Sequence, residues 1–386
     1  MPFDHLRFRR HWDLSEETIY QLGQCQALIH ALTTLPLGPA VMRELKQVSI
    51  RKGAQATTAI EGNTLTEDEV QKVLEGKRLP ESKSYQAKEV SNVVQAMNRI
   101  MQDFSGQATP RLITPQLLKQ FHSMIGEDLP APFNATPGQF AQSQRVVGGY
   151  RCPPFGREKN QVEGLVDQLC KWLQSEFRFA SGKQSFRNGI IQAIVTHVYI
   201  EWIHPFDDGN GRTGRLVEFY LLLRAGVPDI CAHILSNHYN NTRPEYYGHI
   251  AKGQKERELT SFIAYAVTGF LDGLNEVWEI VAKVRLHKEW QAYVDDKIAS
   301  LKWSKPVASR RKHLLMNMPL RKSYNLESIQ LTSPQIAQAY ATVSMQTLRN
   351  DIKDLIQEEL LIKDSKTGEF STNHSVLSNQ YPNKIR

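Results

Sequence analysis

From His204 to Arg215 the chain reads His-Pro-Phe-Asp-Asp-Gly-Asn-Gly-Arg-Thr-Gly-Arg, which places an imidazole, two carboxylates and two guanidiniums within twelve residues. Gly209 and Gly211 free the backbone to turn successive N–H groups toward one oxyanion, and a helix beginning there adds its positive end. Arg212 and Arg215, three apart on that helix, share a face from which they could clamp separate phosphates. Two acids at the mouth of an anion site repel phosphate unless a divalent cation lies between, so at least one of Asp207 and Asp208 is expected to hold Mg²⁺. His204, held by Pro205 at the end of the preceding helix, faces that helix's negative end. It is expected to accept a proton near neutral pH, as a general base does.

Two blander accounts compete. Gly209 to Gly214 also fits GxGxxG, but that dinucleotide fingerprint follows a strand, and the residues before it have helical spacing. A plain glycine turn between helices leaves the clustering of His, acids and arginines unexplained.

The segment resembles the signature of the Fic family, His-Pro-Phe-x-Asp/Glu-Gly-Asn-Gly-Arg-x-x-Arg, with no departure. Pro137-Gly138-Gln139-Phe140 leading to Val147-Gly148-Gly149 resembles the family's flap, and Tyr246-Tyr247 after Arg243 resembles a segment near the adenine. The likeness runs from about Pro39 to Leu274, with Thr242 where many relatives have Asn. It implies AMPylation, the transfer of AMP from ATP to a Ser, Thr or Tyr hydroxyl of a protein, with release of pyrophosphate. On this chain His204 would deprotonate the hydroxyl, and Asp208 would bind Mg²⁺ between the α- and β-phosphates. Asn210 with the amides around Gly209 and Gly211 would hold the α-phosphate, Arg212 the β-phosphate and Arg215 the γ-phosphate. Thr213 and Gly214 complete the nucleotide-binding turn, and the flap at Val147, Gly148, Gly149 and Tyr150 would lie along nucleotide and target, with Tyr246 at the base. In some relatives the same core uses another nucleotide donor or removes AMP.

Thr57-Thr58-Ala59-Ile60-Glu61-Gly62 resembles the inhibitory motif of the same family, Ser/Thr-x-x-x-Glu-Gly/Asn. Thr57 and Glu61 are four apart, so a helix puts both on one face, and Gly62 can end that helix directly after the glutamate. With the signature downstream, Glu61 would pair with Arg215 and keep ATP misaligned.

These residues need a helical frame, and the spacing supplies one. Apolar residues at three- and four-residue intervals predict helices over Ser15–Leu32, Pro39–Glu61, Glu67–Leu74, Tyr85–Phe104 and Pro115–Ile125. Thr66 with Glu69 forms a capping box, and Thr114 caps a helix with Pro115 at its first position. Gly and Pro around Val146-Val147 mark a hairpin within 134–154. The pairs 190/191, 194/195, 198/199 and 202/203 argue helix up to His204. Another helix spans Arg215–Ala225, and one or two lie in Glu258–Ser300. Lys302–Lys312 looks like a basic linker. Beyond it, helices opened by Ser333-Pro334 and Ser344, then two short strands within Leu360–Phe370, suit a winged helix-turn-helix.

The expected fold class is mainly α: a Fic-type helical core with a short β-hairpin flap, plus a C-terminal winged helix-turn-helix module. Expected boundaries are 1–110 for the N-terminal helices with the inhibitory helix, 111–275 for the core with its flap at about 136–154, 276–310 for a long helix and linker, and 311–386 for the module.

At 386 residues, 41% hydrophobic and 23% charged, the composition is that of an ordinary globular protein. Cys25, Cys152, Cys170 and Cys231 lie apart and are expected to be buried thiols. No apolar run reaches the ~20 residues of a membrane span, and a cytoplasmic location without membrane contact is expected. The net charge of +7 suits phosphate ligands but decides little. Expected partners are ATP and an unidentified target protein, which could be the chain itself, with a homodimer also open. Gln346, Arg349, Asn350 and Lys353 could face a DNA groove, but Asp351, Asp354, Glu358 and Glu359 interrupt the basic surface, so DNA is not favoured. The rival reading is a transcriptional regulator with a nucleotide-sensing core.

Overall fold

In the computed structural model, which describes residues 3–105, 112–177, 185–319 and 322–378, Ser and Thr residues set the helix starts. Ser15, Thr66, Thr114, Ser185, Ser333 and Ser344 each accept a bond from the amide three residues on, satisfying one of the donors a helix N-terminus leaves free. At Thr66 the Glu69 side chain returns the bond, completing the expected capping box. The chain is mainly helical, and α-carbon contacts divide it into two units, one ending at Trp278 and one beginning at Glu279.

The first unit contains α1 (Glu16–Thr34), α2 (Pro39–Ala59), α3 (Glu67–Leu74), α4 (Ser84–Ser105) and α5 (Pro115–Gly126). After the two-residue strands β1 (Val146–Val147) and β2 (Tyr150–Arg151) come α6 (Val162–Glu176), α7 (Phe186–Ile203), α8 (Asn210–Arg224), α9 (Ile234–Asn241) and α10 (Arg243–Glu256). Helix α11 (Thr260–Ser300) is continuous, and the unit boundary falls within it.

Helix α7 is buried at fourteen of its eighteen positions, and α8 from Asn210 to Leu222. A helix buried on all sides belongs at the centre of its domain. The two pack against each other more extensively than any other pair, with α2, α4 and α5 against α8. The turn between α7 and α8, which carries the signature, therefore sits on a rigid hairpin.

The second unit contains α12 (Lys305–Asn317), α13 (Pro334–Tyr340), α14 (Met345–Gln357) and the antiparallel strands β3 (Leu361–Lys363) and β4 (Phe370–Thr372). Its core includes Trp290, Leu314, Ile336, Leu348, Ile352, Leu355 and Leu360. The basic linker expected at Lys302–Lys312 is a correction. From Lys305 the segment is helix, with Pro306 in the first turn, where its missing N–H is no loss, and Ser304 at an N-cap that makes no side-chain bond. Two of the basic side chains that suggested a linker are tied down: Arg310 and Arg311 bond the buried Asp351.

The expected boundary near 110 and the end of the C-terminal module lie outside the described residues. All four cysteines are buried and unpaired, as expected. No helix among the described residues is long and apolar enough to cross a membrane.

Candidate functional site

The turn after α7 is built backbone first. His204 caps α7 in the left-handed region (φ 51°), donating its N–H to the Ile200 carbonyl at 2.8 Å. Asn210 then closes the loop: its Oδ1 accepts from the Phe206 N–H and its Nδ2 donates to the Phe206 carbonyl, both at 2.8 Å. Asn210 was expected to reach the α-phosphate, but here both ends of its buried side chain hold the turn, leaving its main-chain N–H to face an anion. Gly209, at φ 78°, stands at the N-cap of α8, and Thr213 bonds its carbonyl at 2.8 Å. No side chain caps α8. The amides of Asn210, Gly211 and Arg212 thus lack partners within the helix, and the helix dipole favours an anion before them.

His122, which no sequence signal marked, supports this turn. Its ring stacks on Phe206 at 3.8 Å. Its Nδ1 accepts from the Gly138 N–H at 2.9 Å, so Nε2 carries the proton and donates to the Asp208 carbonyl at 3.0 Å. Burial pulls its pKa down to about 4.

Arg215, fully buried, is fastened by the segment that resembles a brake. Its Nε donates to the Thr57 hydroxyl at 2.7 Å, and its Nη2 to the Thr57 carbonyl at 3.0 Å and to the Glu61 carboxylate. Burial opposes ionisation of Glu61, but the charge and hydrogen bond of Arg215 outweigh it and hold the carboxyl below its usual range. A Cβ built on Gly211 would overlap Glu61 Oε1, so the carboxylate lies at the open end of α8. Helix α2 ends earlier than expected. Glu61 follows it in a tight turn where Glu61 N bonds the Thr58 carbonyl (3.0 Å) and Gly62 N bonds the Ala59 carbonyl (2.9 Å). Gly62 has φ 97°, a left-handed conformation that favours glycine. The end of α2 is also latched from α10, where Arg243 donates to the Ala59 carbonyl.

Arg212 is equally occupied. Its Nη1 meets Glu89 at 2.5 Å and its Nη2 meets Asp208 at 3.1 Å. The other Glu89 oxygen accepts from Asn63 Nδ2 at 2.7 Å, so the residue two past Glu61 reaches the second arginine through Glu89. Glu89 lies mid-helix, and nothing in its sequence context distinguishes it from a surface acid. Its burial raises its carboxyl, partly offset by Arg212.

Asp207 and Asp208 part company. Asp207 accepts from the amides of Gln142 (3.0 Å) and Ser143 (3.1 Å) and from the Ser143 hydroxyl (2.5 Å), which anchors the approach to the flap. Asp208, about one-third exposed, bonds the Gly209 and Asn134 amides besides Arg212. No cluster of three metal-ligating side chains exists among the described residues. With three donors on it, Asp208 keeps one open position, on Oδ2, at the rim of an anion site, which fits Mg²⁺ whose remaining ligands come from phosphates and water.

The His204 ring is more acidic than its sequence context implied. Burial, then repulsion from Arg145, lowers it to about 4, against the opposing influence of the Glu201 carbonyl, Glu61 and Asp208. The helix end alone suggested a value near neutrality; desolvation outweighs it, and the imidazole is unprotonated at pH 7. One turn back, burial pushes the Glu201 carboxyl up to about 7. Beside it His197 Nε2 bonds the Tyr246 hydroxyl at 2.9 Å. Tyr246, expected near the base, is thus sealed in the core at 1% exposure, while Tyr247 is 48% exposed and bonds the Ile60 carbonyl at 3.4 Å. A Cβ on Gly214 would stand 2.9 Å from His197 Nδ1, which explains the glycine where α8 crosses α7.

The flap is a hairpin pairing Val147 with Tyr150 across Gly148 (φ 52°) and Gly149 (φ 85°), the two positive φ values a type I′ turn requires. Val146 and Val147 are exposed. Tyr150 ties the hairpin to α7 by donating to the Trp202 carbonyl at 3.1 Å. Arg145 is the stitch that sequence reading missed. It donates to the carbonyls of His204 (3.0 Å), Ser143 (2.6 Å) and Pro153 (2.7 Å).

Residues 112–222 match the model of the Fic/DOC family. The protein adenylyltransferase Fic of Drosophila ananassae is 27% identical over 237 residues, 61% of this chain and 43% of that protein. That of Drosophila willistoni is 27% identical over 247 residues, 64% of this chain and 45% of that protein. The chain thus spans less than half the length of these curated relatives. Among solved structures, a Fic family protein from Desulfovibrio desulfuricans G20 superposes with a TM-score of 0.56 at 20% identity, covering 98% of this chain and all of that one. Fic-1 of C. elegans, residues 134–508, gives 0.55 at 20% identity over 69% of this chain and 73% of that one. At these identities the superpositions show a shared fold.

Proposed function

We propose that this chain, whose residues 112–222 match the model of the Fic/DOC family, transfers AMP from ATP to a hydroxyl side chain of a protein and is held inactive by its own Glu61. The observation that carries the reading is the uncapped start of α8, whose first amides have no partner within the helix, with the Glu61 carboxylate packed against Gly211 in its first turn. A carboxylate seated over Gly211 marks where a phosphate oxygen would sit.

In the transfer, His204 takes the proton of the target hydroxyl as its oxygen attacks the α-phosphorus, and the bond to pyrophosphate breaks. The amides of α8 orient the α-phosphate, while Arg212 and Arg215 neutralise the departing charge; phosphoryl chemistry needs alignment and charge more than covalent help. Asp208 would hold Mg²⁺, which when bound supplies further neutralisation at the phosphates. Val147 to Tyr150 offer a free edge along which a target segment could add as a strand. Arg215 cannot serve a γ-phosphate while Thr57 and Glu61 occupy it, and a phosphate misplaced by about 1 Å can cost about 100-fold in rate.

The test is transfer of label from α-³²P-ATP in the presence of Mg²⁺. Glu61→Gly is expected to raise labelling about 100-fold over the parent, and His204→Ala in that background to abolish it. Labelling equal in parent and Glu61→Gly overturns the brake; labelling retained without His204 overturns the base.

A further inference from the structure

Charge is divided unevenly along this chain. From Glu279 onward there are 17 Lys+Arg against 11 Asp+Glu, so +6 of the total +7 belongs to the second unit. In sequence this excess is masked around α14 by Asp351, Asp354, Glu358 and Glu359. In the fold, three of those four acids are committed to basic partners. Asp351, 1% exposed, accepts from Arg310 (2.7 Å), Arg311 (2.7 Å) and the Tyr340 hydroxyl (3.1 Å). Asp354 pairs with Arg311, and Glu358 with Lys297 at 3.1 Å.

With Leu348, Ile352 and Leu355 also turned inward, the opposite face of α14 is left to Gln346, Arg349, Asn350 and Lys353, all exposed. They stand at i, i+3, i+4 and i+7, a single straight row. Neither Arg349 nor Lys353 pairs with a carboxylate among the described residues. The hairpin that follows adds exposed Lys363 and Lys366.

We propose that this face of α14 is a binding surface for duplex DNA. A 13-residue helix with two cations and two amides along one row matches the B-form major groove, where cations meet phosphates and Asn or Gln can pair with adenine edges. Lysines on the hairpin suit the flanking backbone. Double-stranded RNA is disfavoured because its deep, narrow major groove does not admit a helix. The inference stands apart from AMP transfer, since none of these residues belongs to the first unit.

The test uses the full chain and a fluorescent duplex of about 25 base pairs of mixed sequence, followed by anisotropy from about 50 to 200 mM salt. Binding is expected, with affinity falling linearly on a log–log plot. Arg349→Ala/Lys353→Ala should weaken it about tenfold or more at low salt and reduce the slope by about 2. Lys252→Ala/Lys255→Ala removes the same charge from the first unit, where both are exposed, and should leave binding unchanged. Circular dichroism and AMP transfer, unchanged in both doubles, report folding. Absence of binding at low salt, equal loss in the two doubles, salt-independent binding, or equal affinity for duplex RNA would each overturn the proposal.

Discussion

The Glu61 carboxylate and the α-carbon of Gly211 are so close that a methyl group on residue 211 would stand where Oε1 lies. Gly211→Ala must therefore push Glu61 off Arg215 and leave a buried guanidinium short of its partner, a loss of about 3 kcal/mol for such pairs. In a Glu61→Gly background the same alanine is free of the carboxylate and meets only the Arg215 guanidinium nitrogens at 3.0 Å, so its cost is smaller and is offset by about 1 kcal/mol of helix propensity. Urea denaturation of the four proteins should show strong non-additivity. Equal cost of the alanine in both backgrounds would mean that the carboxylate does not occupy that site.

Asn63 would extend the proposed brake. Its amide holds Glu89, and its Oδ1 accepts from the Leu65 N–H at 3.0 Å, pinning the loop behind Glu61. Asn63→Ala should free that loop and raise AMP transfer several-fold, less than Glu61→Gly does. A rate equal to the parent's would confine the brake to Thr57 and Glu61.

Arg145 joins the flap to the carbonyl of His204, the proposed base. In the Glu61→Gly background, Arg145→Ala should lower transfer about 100-fold through misalignment, with the larger change in KM for the protein target. Full activity would show that the flap is held without it.

Acid should weaken the fold through His122. Its imidazole is buried neutral with a pKa near 4, against about 6.5 when unfolded, so only the unfolded chain gains its proton between those values. Stability from this group is intact above pH 6.5 and declines as pH falls toward 4, by about 2 kcal/mol at pH 5. His122→Asn should show a shallower decline in denaturation midpoint between pH 7 and pH 5. Identical slopes would place the His122 proton elsewhere.

Much of this was legible in order along the chain. Side-chain caps at Ser15, Thr66 and Thr114 announce helices because the bond is local. The signature was legible because its chemistry is packed into one turn. Glu89, His122 and Arg145 were not, since each acts across 59 residues or more: Glu89 on Arg212, His122 on Asp208, Arg145 on His204. Their neighbours in sequence carry no trace of those partners. Lys302–Lys312 misled for the same reason, because the acids that neutralise Arg310 and Arg311 lie about 40 positions downstream. For His204, the order of residues gave a helix end, whereas depth of burial set its proton affinity.

The left-handed cap at His204 bears on how the proposed brake would be released. Because the ring is aimed by the end of a buried helix, with Asn210 cross-tying the following loop, the turn from His204 to Asn210 is already built while Thr57 and Glu61 hold Arg215. On the proposed reading, activation asks for no refolding of the centre, only the withdrawal of the segment from Thr57 to Glu61, as a cork leaves a bottle whose shape does not change.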